Sequence, residues 1–132
     1  MEMIPKTNMR VLVVEDESAS RFLMELIMEE RGCVFEVVRN GAEAVKAIKE
    51  KKFNIVFMDL RMPIMDGIET TKIIRRDISK SLPIIAVTAH AIEDVKEECY
   101  AAGMNGFIVK PFDVDRFKAD ITGWIKKFTV GG

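Results

Sequence analysis

No stretch of this chain approaches the ~20 apolar residues of a membrane span, and Met1 to Met9 lacks the apolar core of a signal peptide. Cysteine is scarce. Cys33 and Cys99 are spaced like neither a metal-binding nor a redox motif and read as reduced, half-buried side chains. Charge of one sign is also missing, since 20 basic residues face 21 acidic ones and the net charge is −1. That balance argues against holding nucleic acid or an anionic membrane through bulk charge. These absences together point to a cytoplasmic protein. Linkers and low-complexity tracts are absent too, so the 132 residues read as one domain. What is present is the composition of a globular chain with one buried core, 48% hydrophobic and 31% charged. We expect residues 1–9 to be a lead, 10–128 the domain and 129–132 a flexible tail.

The apolar pattern alternates between strand and helix. Val11-Leu12-Val13-Val14 is a β-branched buried strand ending in Glu15-Asp16-Glu17. Ser18 is placed to cap the next helix, whose Phe22, Leu23, Leu26 and Ile27 recur at helical spacing and which Gly32 closes. Val34–Val38 is partly polar and suits an edge strand, and Asn40-Gly41 opens a helix with Ala44, Val45 and Ile48 inward. Asn54–Met58 is the third strand, followed by a helix over Asp66–Asp77. Ile84–Val87 leads to Thr88-Ala89-His90, and a helix over Ile92–Ala102 stops at Gly103. Gly106–Val109 runs into Lys110-Pro111, and Asp113 caps a last helix carrying Val114, Phe117, Ile121, Trp124, Ile125 and Phe128. Five strand-helix units with short connections imply a doubly wound parallel α/β sheet with helices on both faces. The nine methionines read as gap-filling packing, and Trp124 as the anchor of the last helix.

Ligands of such sheets bind at the carboxyl ends of the strands. There the chain places Glu15 and Asp16, Asp59, Thr88 and Lys110. A carboxylate within the sheet would be costly, so Asp59 belongs where the third strand leaves it. Converging acids repel one another unless a cation lies between them, and oxygen ligands with a phosphate nearby suit Mg²⁺. Lys110 and Thr88 add a cation and a hydroxyl donor where a phosphoryl oxygen needs them, and Asp is an established carboxylate nucleophile. Each residue also has an ordinary reading. Glu15 and Asp16 can serve the dipole of the following helix, Phe107 can be plain core, and Arg61 and His90 can point into solvent.

The acidic pair, Met58-Asp59-Leu60-Arg61-Met62-Pro63-Ile64-Met65-Asp66-Gly67, Val87-Thr88-Ala89 and Val109-Lys110-Pro111-Phe112 together resemble a two-component response-regulator receiver domain. The resemblance runs in order along nearly the whole chain. It implies a flavodoxin-like (βα)5 fold with strand order 2-1-3-4-5. It makes Asp59 the phospho-acceptor and gives the Mg²⁺ ligands as Glu15, Asp16, Asp59 and the Arg61 backbone carbonyl. Thr88 and Lys110 would bond phosphoryl oxygens. Phe107, Arg61, Ala89, His90 and Pro111 fall at switch or tuning positions. Phe107 would turn inward on activation, and Pro111 would hold the following loop, often through a cis bond. Arg61 and His90 would line the approach of hydrolytic water, with Arg61 prolonging the phosphorylated state.

The wording of Thr88-Ala89-His90-Ala91 and Ala101–Gly106 is similar to receivers of hybrid kinases and phosphorelays. The resemblance therefore implies a sensor histidine kinase or a histidine-phosphotransfer protein as donor. A downstream protein would read the surface of the fourth helix, fifth strand and last helix, with no nucleic acid or membrane bound directly. Catalysis would be limited to its own phosphotransfer and dephosphorylation. A hydrolase of the haloacid-dehalogenase type wants a second acid where Arg61 stands. A flavodoxin-like nucleotide or flavin binder needs a phosphate loop where Glu15-Asp16-Glu17 would repel one. An adaptor that never turns over phosphate is the remaining rival.

Overall fold

The computed structural model describes residues 9–62, 65–89, 93, 95–110 and 113–128. His90, Pro111, the start of the fourth helix at Ile92 and the tail from Thr129 lie outside the described residues. The elements are β1 (Arg10–Val14), α1 (Ser18–Arg31), β2 (Val34–Val38), α2 (Gly41–Glu50), β3 (Ile55–Asp59), α3 (Gly67–Asp77), β4 (Ile84–Thr88), α4 (Lys96–Ala102), β5 (Gly106–Val109) and α5 (Val114–Phe128). All pairings are parallel, and the strand order is β2-β1-β3-β4-β5, as expected.

Alternation along each strand divides the interior in two. Val11 and Val13 of β1, Phe57 of β3 and Ile85 of β4 face a layer that takes Met24, Ile27 and Met28 from α1 and Phe117, Ile121 and Ile125 from α5. Leu12, Val14, Val56 and Met58 face the other way, onto Ala44 and Ile48 of α2, Ile74 of α3 and Cys99 of α4. Strands covered on both faces need apolar residues at every position, and β3 and β4 are buried throughout. At the sheet edge β2 is more exposed, in keeping with its polar residues.

Local chemistry sets most helix ends. Asn40 accepts from the Glu43 N–H at 2.9 Å, Asp66 from the Glu69 N–H at 2.8 Å and Asp113 from the Arg116 N–H at 3.2 Å. Gly32 closes α1 in the left-handed region, φ 69°. Two expectations for α1 need correction. The cap is Glu17 and not Ser18, because the Glu15 carboxylate takes the Glu17 N–H at 3.3 Å and turns the chain into helix one residue early. Of the apolar residues noted at helical spacing, Leu23 and Ile27 do pack on the core, beside Met24 and Met28, while Phe22 and Leu26 are exposed.

Close backbone contact builds the corner below the site. A Cβ on Gly67 would lie 2.5 Å from the Asp59 carbonyl oxygen, so only glycine lets the start of α3 rise against the end of β3. Gly106 of β5 similarly admits the Trp124 ring, which a Cβ would meet at 2.4 Å. Trp124 thus anchors α5 against the sheet, and it stacks on Phe128 with centroids 6.1 Å apart. No helix among the described residues is long and apolar enough to cross a membrane.

Candidate functional site

Asp59 is the last residue of β3, paired in register with Val87, and only 4% exposed. The chain turns at once. The Asp59 Oδ1 accepts from the Arg61 N–H at 3.1 Å, which fixes the carboxylate over the corner. From the neighbouring strand β1 come Glu15, buried, and Asp16, exposed. Glu15 still belongs to the sheet, its N–H donating to Val38 at 3.0 Å. Each of the three acids offers a carboxylate oxygen, and these atoms all lie within 4.8 Å of one another. A donor set made only of carboxylate oxygens suits a hard cation such as Mg²⁺. Three carboxylates so close also need positive charge between them.

Lys110 follows β5 and supplies that charge from the opposite side. Its backbone N–H donates to the Thr88 carbonyl at 2.7 Å, so β4 fixes where the side chain starts. Its Nζ lies 2.9 Å from Glu15 and 3.4 Å from Asp59. Burial and the adjoining Asp59 carboxylate push Glu15 up to about 8, against the pull of Lys110. For Lys110, burial works to lower the pKa, but bonding to Glu15 and the charges of both acids outweigh it and raise it. Thr88 is buried at the end of β4. A cleft of about 420 Å³ opens above these groups, lined by Asp16, Glu17, Asp59, Arg61, Thr88, Ala89 and Lys110.

Of the residues singled out from sequence, Glu15, Asp16, Asp59, Arg61, Thr88, Ala89 and Lys110 gather here. Phe107 is half-buried on β5 against the α2–α4 side of the core. His90 and Pro111 lie outside the described residues. Two features had no forecast. Lys110 bonds Glu15 more closely than Asp59, a contact across 95 residues of sequence that no local pattern announces. Arg21, on α1, donates from Nη1 to the Asp16 carbonyl at 2.5 Å and reaches the Glu15 carbonyl at 3.4 Å. The only sequence signal for it was an arginine one turn into the helix after the acids.

Chemically, the cleft can hold a divalent cation, offer a carboxylate nucleophile and neutralise phosphoryl oxygens. The chain is also similar to known proteins. The sequence pattern of the response regulator receiver domain matches residues 11–122. The osmosensing histidine protein kinase SLN1 of Saccharomyces cerevisiae is 36% identical over 123 residues, which is 89% of this chain and 10% of that protein. The sensor protein GacS of Pseudomonas syringae is 34% identical over 119 residues, 87% of this chain and 13% of that protein. The chain thus spans about a tenth of the length of these relatives. Among solved structures, the receiver domain of sensor histidine kinase PA1611 from Pseudomonas aeruginosa, with magnesium coordinated in its active site cleft, superposes with a TM-score of 0.82. That match is 29% identical and covers 93% of this chain and 98% of that one.

Proposed function

Because the chain belongs to the response regulator receiver domain family, whose members are signalling switches, we propose that it accepts a phosphoryl group on Asp59. The donor in this reading is a phosphohistidine of a sensor histidine kinase or a histidine-phosphotransfer protein, in line with the histidine kinases among its relatives. The observation that carries the reading is the carboxylate cluster, Glu15, Asp16 and Asp59 within 4.8 Å, with Lys110 bonded into it.

Glu15, Asp16 and Asp59, with the Arg61 backbone carbonyl, would hold Mg²⁺, which supplies charge neutralisation for a phosphoryl group in flight. An Asp59 oxygen attacks phosphorus, the phosphorus–nitrogen bond of the donor breaks, and the donor ring, already protonated on its other nitrogen, leaves as neutral imidazole. Lys110 moves from its carboxylates to a phosphoryl oxygen, and the Thr88 hydroxyl donates to another. Water entering past Arg61 and His90 then attacks phosphorus, breaks its bond to the Asp59 oxygen and releases inorganic phosphate, with Arg61 screening the phosphoryl oxygens. The added charge biases α4, β5 and α5, where Phe107 turns inward. That face bears exposed Tyr100, Val109 and Val114 and a groove of about 700 Å³ between β5 and α5, fit for a protein partner. In this reading residues 10–128 form one receiver unit, working in the cytoplasm without direct contact to nucleic acid or membrane.

Intact mass after incubation with acetyl phosphate tests the reading. We expect a gain of one phosphoryl group that requires Mg²⁺ and is absent in Asp59→Asn. No gain in either condition would favour an adaptor that does not turn over phosphate.

A further inference from the structure

Arg21 grips the backbone that carries two of the three acids. Its side-chain Nη1 meets the carbonyl oxygens of Asp16 and Glu15 at 2.5 and 3.4 Å, while its own N–H donates to Glu17 at 2.9 Å inside α1. The arginine is therefore fixed at its base by the helix and at its tip by the strand-to-helix corner. The corner needs such a hold. Glu15, Asp16 and Glu17 are consecutive acids, and the sheet pairing of this segment stops at the Glu15 N–H, leaving Asp16 exposed beyond the ladder. Repulsion would rotate the peptide between Glu15 and Asp16 and spread their carboxylates. A planar, permanently charged guanidinium drawing both carbonyls toward α1 restrains that peptide. The two side chains then leave it toward Asp59, where their oxygens are found within 4.8 Å of the third acid.

We propose that Arg21 is a positioning residue for the divalent cation, holding the backbone of Glu15 and Asp16 so that their carboxylates meet Asp59. The inference rests on the Mg²⁺ reading above. Arg21 touches neither cation nor phosphoryl group and acts only through the acids, in the way outer partners of metal ligands do. A lysine keeps the charge, but its shorter and more flexible side chain does not hold a donor where Nη1 meets both carbonyls.

The test is calorimetric titration of MgCl2 into the parent chain, Arg21→Met and Arg21→Lys, each below its melting temperature measured in chelator. We expect Arg21→Met to bind Mg²⁺ about 10-fold more weakly than the parent, and Arg21→Lys to recover only part of the loss. Equal binding by the parent and Arg21→Met, whatever happens to stability, would overturn the proposal. So would full recovery in Arg21→Lys, since charge and not geometry would then be the cause. A parent chain that takes up no Mg²⁺ would remove both this inference and the metal reading beneath it, a result distinct from either of the others.

Discussion

A lysine 2.9 Å from Glu15 and 3.4 Å from Asp59 already serves as the counter-charge of this cleft. A divalent ion entering among Glu15, Asp16 and Asp59 must therefore compete with Lys110 for the same oxygens. Removing the competitor should help the ion, by about 1 kcal/mol or more for so buried a pair, at least roughly fivefold in affinity. Lys110→Met is thus expected to bind Mg²⁺ more tightly than the parent in a direct titration, yet to give less phosphorylated protein from acetyl phosphate. Weaker Mg²⁺ binding would mean that Lys110 organises the acids instead of competing for them. Burial and the neighbouring Asp59 carboxylate raise the pKa of Glu15 to about 8. The strand-end positions of these residues were legible in the sequence, because strand ends follow from apolar runs. Which carboxylate the lysine favours was not, because that depends on how the first and last strands lie in space.

At the scale of elements, an arginine clasp joins α3 to the turn between α4 and β5. Arg75 donates to the Gly103 carbonyl from Nε at 2.9 Å and Nη2 at 2.8 Å, to Asn105 Oδ1 at 3.1 Å, and to the Ser79 carbonyl at 3.1 Å. Asn105 in turn pairs with both the N–H and the carbonyl of Ile84, each at 2.8 Å, so the clasp reaches β4. Gly103 sits at φ 109°, and a Cβ there would fall 2.7 Å from the Arg75 side chain. Arg75→Ala should lower unfolding free energy by about 2 kcal/mol in denaturant titration, with faster hydrogen exchange over 103–109. Gly103→Ala should cost a similar amount, about 1–2 kcal/mol, from left-handed backbone strain. An unchanged midpoint in both would show the clasp to be idle. This contact, like that of Lys110, joins residues far apart in sequence and left no local trace. The caps at Asn40, Asp66 and Asp113 were legible because their bonds close within three residues. Helix α1 misled, since its apolar residues occupy two opposite sides. Phe22 and Leu26 keep helical spacing as well as Met24, Ile27 and Met28 do, and only the packed sheet selects the second set.

For the molecule as a whole, the strand order turns separate segments into one site. With β1 beside β3, the acids of two strand ends become neighbours, and β4 and β5 bring Thr88 and Lys110 from one side only. The charge gathered there is part of the folding energetics, because a cation that binds the folded cluster and not the unfolded chain shifts the equilibrium toward the fold. At ten times its dissociation constant Mg²⁺ should add about 1.4 kcal/mol. For a chain of this length that is roughly a 4 °C rise in Tm. Asp16→Asn separates the sources of that rise. Asp16 is exposed and outside both packed layers, so its loss should leave the Tm in chelator nearly unchanged while removing most of the magnesium-dependent increment. Differential scanning calorimetry with and without MgCl2 reads both quantities from the same two samples. An increment that survives Asp16→Asn would put the stabilising ion somewhere other than the β1–β3 edge, and the electrostatic case for this cleft as the cation site would fall with it.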